Sequence, residues 1–182
     1  MPEKTALLIV DMLNPYDHED AERLVPNVER VVEPMAELIE RARSEDVDII
    51  WVNDNYGDWS ASRDDLVQSA LDGERPDLIK PIAPPEEVNF LVKARHSVFY
   101  TTPLEYLLGQ HDVDHIVLAG QVTEQCILYS ALDAYVRHFE VTVPADAVAH
   151  IDEDLARAAL KMMEDNMSAE ITSCSECTLV GR

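Results

Sequence analysis

The sequence predicts an α/β protein: a single domain, residues 1–182, with three α/β/α layers around a mostly parallel sheet of about six strands. Three observations carry that prediction. Residues 5–11 (TALLIVD), 47–53 (VDIIWVN) and 115–120 (HIVLAG) are apolar at nearly every position, as in strands covered on both faces. Segments of helical periodicity lie between them, and alternating β and α units close into a parallel sheet through right-handed crossovers. A chain of 182 residues with 47% hydrophobic and 27% charged positions is long enough for a sizeable core.

The first strand ends in Asp11, and a helix is expected over residues 27–44, with Val28, Val31, Val32, Met35, Leu38 and Ile39 on one face and Pro34 as a kink. After the second strand, residues 54–85 are punctuated by Gly57, Gly73, Pro76, Pro81, Pro84 and Pro85 around one helix-like piece at 62–71. This stretch reads as an excursion over one face, an active-site wall. Residues 89–92 form a short strand, and Thr102 as N-cap with Pro103 at the first position opens a helix through Leu108. Strand 115–120 and helix 123–138 follow, then strand 140–143, helix 152–167 and a last strand at 169–172.

Composition excludes several functions. A net charge of -22 and a pI near 4.4 repel nucleic acid and anionic membranes, leaving a soluble acidic surface or adaptation to high salt as its meaning. No apolar run approaches the roughly 18 residues of a membrane helix, and no basic, apolar and small-residue leader opens the chain, so a cytoplasmic location is expected. Three cysteines do not make a disulfide scaffold. Cys174 and Cys177 have C-x-x-C spacing, yet no second ligand pair follows and the pair is not at an early strand-to-helix turn, so neither zinc nor a redox site is expected.

In parallel α/β sheets ligands bind beyond the carboxyl ends of the strands, and three chemically useful residues fall there: Asp11, Lys93 and Cys126. Singly each is ordinary, since aspartates cap turns, lysines are solvated and cysteines fill cores. Cys126, however, opens a helix after Gly120, where N–H dipoles lower a thiol pKa. Its helical stripe is Ser130, Asp133 and Arg137, opposite the apolar Ile127, Leu128, Ala131, Leu132, Tyr135 and Val136, so it is expected off the buried face. Thr123 is the expected cap. A thiolate attacking a carbonyl, first-turn N–H groups holding the oxyanion, Asp11 as base and then acid, and Lys93 holding the two acid groups together make a consistent set.

The run Gly120-Gln121-Val122-Thr123-Glu124-Gln125-Cys126 resembles the G-x-x-T-x-x-C motif of the isochorismatase-like cysteine hydrolases, which include nicotinamidases, N-carbamoylsarcosine amidases and ureidoacrylate amidohydrolases. Leu8-Ile9-Val10-Asp11-Met12, with Asn14 after it, and Lys93-Ala94-Arg95-His96-Ser97-Val98-Phe99, similar to K-x-x-x-S-x-F, extend the resemblance over nearly the whole chain. It implies a Rossmann-like fold, an Asp11–Lys93–Cys126 triad, and a covalent acyl intermediate on Cys126. It further implies a cis peptide between Gln121 and Val122 that aims the Val122 N–H, with that of Cys126, at the oxyanion. Tyr16 and Tyr100, with Asn53 and Tyr56, take pocket-lining positions; Trp59 fits either the pocket or the core. Homo-oligomers are common in the family.

Nicotinamidases add a metal held by Asp-x-His and further histidines after the second strand. Here that stretch is Asn53-Asp54-Asn55-Tyr56-Gly57-Asp58-Trp59, and no histidine falls between His18 and His96. A borderline-soft metal lacks its imidazoles, so no metal and no other cofactor is expected. His111 and His115 are read as surface residues. Vinyl-ether cleavage of the isochorismatase kind needs no cysteine nucleophile, so hydrolysis of a small amide, carbamoyl or ureido substrate is the expected reaction. A vinyl-ether hydrolase and a catalytically silent relative remain the alternatives.

Overall fold

The computed structural model describes residues 4–179. Among them, β1 (Thr5–Val10), β2 (Asp48–Asp54), β3 (Asn89–Lys93), β4 (His115–Gln121), β5 (Glu140–Pro144) and β7 (Glu170–Thr172) form a sheet in the order β3-β2-β1-β4-β5-β7. A two-residue strand, β6 (Val148–Ala149), pairs with the end of β4. Every pairing is parallel, so the predicted α/β class holds with one added strand.

The helices are α1 (Ala21–Ser44), α2 (Arg63–Leu71), α3 (Pro76–Ile79), α4 (Leu104–Gln110), α5 (Leu128–Val136) and α6 (Glu153–Met167). Strand side chains alternate between two apolar layers, as a pleated strand requires. Leu7 and Ile9 pack with Leu24, Val28, Met35, Leu66 and Ile79 from α1, α2 and α3. Ala6, Leu8 and Val10 pack with Leu104, Leu108, Ala131 and Met163 from α4, α5 and α6. No described helix is long and apolar enough to cross a membrane.

Three expectations need correction. Helix α1 starts at Ala21, before Pro26, because Leu24 belongs to the same buried face as Val28 and packing carries the helix through the proline. Thr102 does accept a hydrogen bond from the Leu104 N–H at 3.3 Å, but Pro103 is the cap residue and the helix begins one position later. The largest difference is at residues 123–138. Thr123–Ile127 is a π-turn in which the Ile127 N–H bonds Val122 five residues back, and α5 follows it. Thr123 does not cap: its hydroxyl donates to the Ala149 carbonyl at 2.9 Å, tying the turn to β6.

The polar stripe of α5 also faces inward. Ser130 is fully buried and accepts from the Val98 N–H at 3.0 Å, Asp133 accepts from the Ser97 hydroxyl, and Arg137 pairs with Asp133 and Glu105 while covering the Phe99 ring. The motif Ser97-Val98-Phe99 is thus buckled to α5. Ile127 and Ala131 are buried as expected, whereas Leu132, Tyr135 and Val136, with Tyr129, are exposed. A polar stripe turns inward when a neighbouring loop supplies its partners.

Candidate active site

The strand order reverses between β1 and β4, the switch point at which such sheets bind ligands. Asp11 leaves β1 there with φ 55°, a left-handed conformation that aspartate tolerates better than most residues. Its N–H still donates to the Val52 carbonyl at 3.0 Å, so β2 holds the turn in place. On the other side of the switch, Gly120 ends the β1–β4 register opposite Val10, and the peptide between Gln121 and Val122 is cis. The Gln121 side chain donates to the Asp11 carbonyl at 2.7 Å, linking the two strand ends.

Lys93, the last residue of β3, is not a solvated lysine: its side chain is 0% exposed. Its Nζ lies 2.8 Å from Asp11 Oδ2, 3.3 Å from Asp54 Oδ2 and 3.7 Å from Cys126 Sγ. Asp11 Oδ1 accepts from the Asp54 N–H at 2.7 Å. The three residues that the sequence set at separate strand ends therefore meet in one cluster, with Asp54 as a fourth member that sequence reading did not select. His96 is a fifth, its Nδ1 3.7 Å from the sulfur and its ring packed on Tyr129.

The protons in this cluster are set by burial and charge. Burial raises the Asp11 pKa above the ordinary carboxylate value, against the pull of Lys93. Burial alone would lower Lys93, but Asp11, Cys126 and Asp54 around it move it upward. The Cys126 thiol is pushed well above a free thiol, first by burial and then by Asp11, with Lys93 and the Val122 amide opposing. The expectation of a helix-lowered thiol pKa is corrected: burial and the Asp11 carboxylate raise the thiol instead of lowering it. The larger cause is burial itself, and the Asp11 carboxylate adds to it by disfavouring a second negative charge beside it.

Cys126 lines a depression of about 610 Å³, a volume suited to a small molecule. Tyr56 lines it, and so do His18, His96, Gln121, Gln125 and Val122. Tyr16 and Asn53 are not among its lining residues. Tyr16 is buried behind Gln121, to which its hydroxyl donates at 3.4 Å. Asn53 is buried and braces Leu13 by exchanging hydrogen bonds of 2.9 and 3.2 Å with its backbone. Tyr100 and Trp59 line a neighbouring depression that shares Asp54 and His96, and Trp59, 83% exposed, is no core residue. Tyr16 and Asn53 could not be told from lining residues by position, because what separates them from the depression is burial, at 3% and 1% exposed.

The stretch after β2 does not fit a metal. Asp54 spends its oxygens on Lys93 and the Tyr56 N–H, and no three His, Cys, Asp or Glu side chains converge as ligands among the described residues. His111 is paired with Asp48 at 2.8 Å near the surface. His115 is not a surface residue: it is part-buried between the Thr5 and Thr142 hydroxyls, each at 2.9 Å. Cys174 and Cys177 are buried free thiols raised mainly by burial, Cys177 to about 11. They anchor the end of the described chain, through Asp146 to the Cys174 N–H at 2.7 Å and Arg41 to the Cys177 carbonyl at 2.7 Å.

A parallel α/β sheet with Asp11, Lys93 and Cys126 gathered at its switch point is consistent with a cysteine hydrolase. The isochorismatase domain matches residues 5–176, and the chain belongs to the isochorismatase family. The uncharacterized family protein YaaI of Bacillus subtilis is 39% identical over 168 residues, 92% of this chain and 93% of its own length. The maleamate amidohydrolase of Pseudomonas putida is 29% identical over 86% of this chain and 78% of its own. Among solved structures, the N-carbamoylsarcosine amidase of Thermoplasma acidophilum superposes with a TM-score of 0.76 at 28% identity, covering 96% of this chain and 98% of its own.

Proposed function

We propose that the protein is a metal-independent cysteine hydrolase that cleaves a C–N bond of a small carboxamide, carbamoyl or ureido compound through an acyl-enzyme on Cys126. The observation that carries this reading is the Lys93 ammonium bridging Asp11 at 2.8 Å and Cys126 at 3.7 Å, two residues that line a small-molecule depression. The amidase and amidohydrolase activities named for two relatives support it.

In the proposed reaction Asp11 takes the thiol proton as the sulfur attacks the carbonyl carbon, so the thiolate exists only as the S–C bond forms. Lys93 remains charged and offsets the negative charge that moves between sulfur and carboxylate. The Val122 and Cys126 N–H groups receive the oxyanion. Asp11 then protonates the departing nitrogen, the C–N bond breaks, and water attacks the thioester with Asp11 again accepting a proton. The acid is released and the thiol restored.

Ammonia release from a panel of small amides and ureides tests the proposal, with Cys126→Ala as control. Ammonia release surviving in Cys126→Ala would defeat the acyl-enzyme on Cys126; an inert amide panel beside vinyl-ether cleavage that survives Cys126→Ala would assign the isochorismatase type, and an inert panel with an unreactive thiol the silent reading. Self-association as a homo-oligomer is part of the proposal, supported by the exposed Tyr129, Leu132, Tyr135 and Val136 on one helix, and sedimentation equilibrium tests it.

A further inference from the structure

Resting on the amidase reading above, we infer that the site selects amides bearing an ammonium group and rejects those bearing a carboxylate. The depression over Cys126 is lined by four carboxylates, Asp11, Asp17, Asp20 and Asp54, and by no lysine or arginine. The Lys93 charge beneath it is already shared between Asp11 at 2.8 Å and Asp54 at 3.3 Å. Arg23, beside Asp20 at 3.7 Å, is likewise shared with Asp152 at 3.4 Å. Asp17 is exposed at the mouth, and its carboxylate has no hydrogen-bond or ion-pair partner among the described residues.

An anionic substrate entering here meets uncompensated negative charge and finds no lysine or arginine to receive it, only the imidazoles of His18 and His96, while an ammonium meets Asp17 directly. The net charge of -22 adds a field of the same sign. Arg95 is the nearest alternative anion receptor, but it lines the neighbouring depression beyond Asp54 and His96, which does not contain Cys126.

Three amides of one skeleton test this: 3-aminopropanamide, butanamide and succinamate, which place an ammonium, a methyl and a carboxylate at the same distance from the carboxamide. They are compared at low salt and at pH 8, above the ordinary histidine range of about 6.5. The expected order of kcat/KM is ammonium, methyl, carboxylate, with at least about tenfold between the ends, narrowing as salt screens the rim. Asp17→Lys is expected to narrow or reverse the order.

A second readout is independent of turnover: alkylation of Cys126 by iodoacetamide and by iodoacetate, followed by mass spectrometry and referred to the same pair on glutathione. Neutral iodoacetamide is expected to be favoured at least about tenfold beyond that reference, and less so in Asp17→Lys. Discrimination in alkylation with no amide hydrolysed supports the charge selectivity while defeating the amidase reading. Succinamate as the best substrate, or iodoacetate reacting at parity, overturns the inference. Loss of succinamate turnover in Arg95→Ala does so too, by moving the acid-binding end to the neighbouring depression.

Discussion

Lys93 and Asp11 meet at 2.8 Å with side chains 0% and 9% exposed, so in the folded protein each charge exists only beside the other. Removing the lysine leaves a carboxylate buried with its charge uncompensated. Lys93→Met is therefore expected to cost about 3–5 kcal/mol, less whatever Asp11 recovers by taking up a proton. The double variant Asp11→Asn/Lys93→Met should regain part of that loss. Urea unfolding of the four proteins in the cycle measures the coupling; simple additivity would mean that the pair is not stabilised as described.

Alkaline pH should weaken the fold through Cys126. A thiol whose native pKa is raised contributes stability fully below the unfolded thiol value of about 8.5 and loses it as pH rises toward the native value. Between pH 8 and pH 10 the wild type should lose up to about 2 kcal/mol more than Cys126→Ala. Cys174 and Cys177 are raised in the same sense and contribute to the common remainder. Equal slopes of stability against pH in the two proteins would contradict the thiol assignment.

The proposed base has a pH signature as well. Asp11 must be ionised to accept the thiol proton, and burial holds its pKa above the usual aspartate value of about 3.9. The acid limb of kcat/KM should therefore lie above that value. Asp11→Asn should lower kcat/KM by at least about a hundredfold at neutral pH. A limb at the ordinary aspartate value would detach it from Asp11.

The buckle between α5 and the segment after β3 can be opened at one atom. Ser130→Ala leaves the buried Val98 N–H without its 3.0 Å acceptor, a loss expected to cost about 1–3 kcal/mol. Because this segment also carries Lys93 and His96, kcat should fall with it. Ser130→Gly, which adds backbone freedom without restoring the acceptor, should be worse still. Thermal unfolding and steady-state kinetics read the two effects separately.

The strand ends were legible in the sequence because uniformly apolar runs announce a parallel sheet, and a parallel sheet has one functional edge. Asp11, Gly120 and Cys126 fall on that edge by local pattern alone. Lys93 falls there too, after the short strand at 89–92, but nothing local separates a buried lysine at a strand end from a solvated one. Asp54, His96 and the Gln121 side chain join the site through contacts made across strands. The polar stripe of α5 was misread for the same reason: amphipathic patterning treats water as the only partner of a polar face, and here the partner is residues 97–99. The sign of the thiol shift depended on burial beside Asp11, which no helix-end rule contains.

Gly120 offers the most direct check of how the switch point is built. It has φ +130°, a conformation that side chains resist, and a Cβ placed there would lie 2.1 Å from the Val10 carbonyl oxygen. That oxygen belongs to the residue preceding Asp11, so relief of the clash must push β1 and β4 apart where they hold the carboxylate and the Gln121–Val122 peptide. Gly120→Ala is expected to destabilise the protein by about 2 kcal/mol or more, since both the backbone conformation and the steric fit oppose it. Activity should fall further than stability accounts for, because separating the strands lengthens the 2.7 Å bond from Gln121 to the Asp11 carbonyl and turns the carboxylate away from the sulfur. Kinetics measured well below the melting temperature separate the two losses. A stable, fully active Gly120→Ala would show that β1 and β4 can part at their ends without moving Asp11.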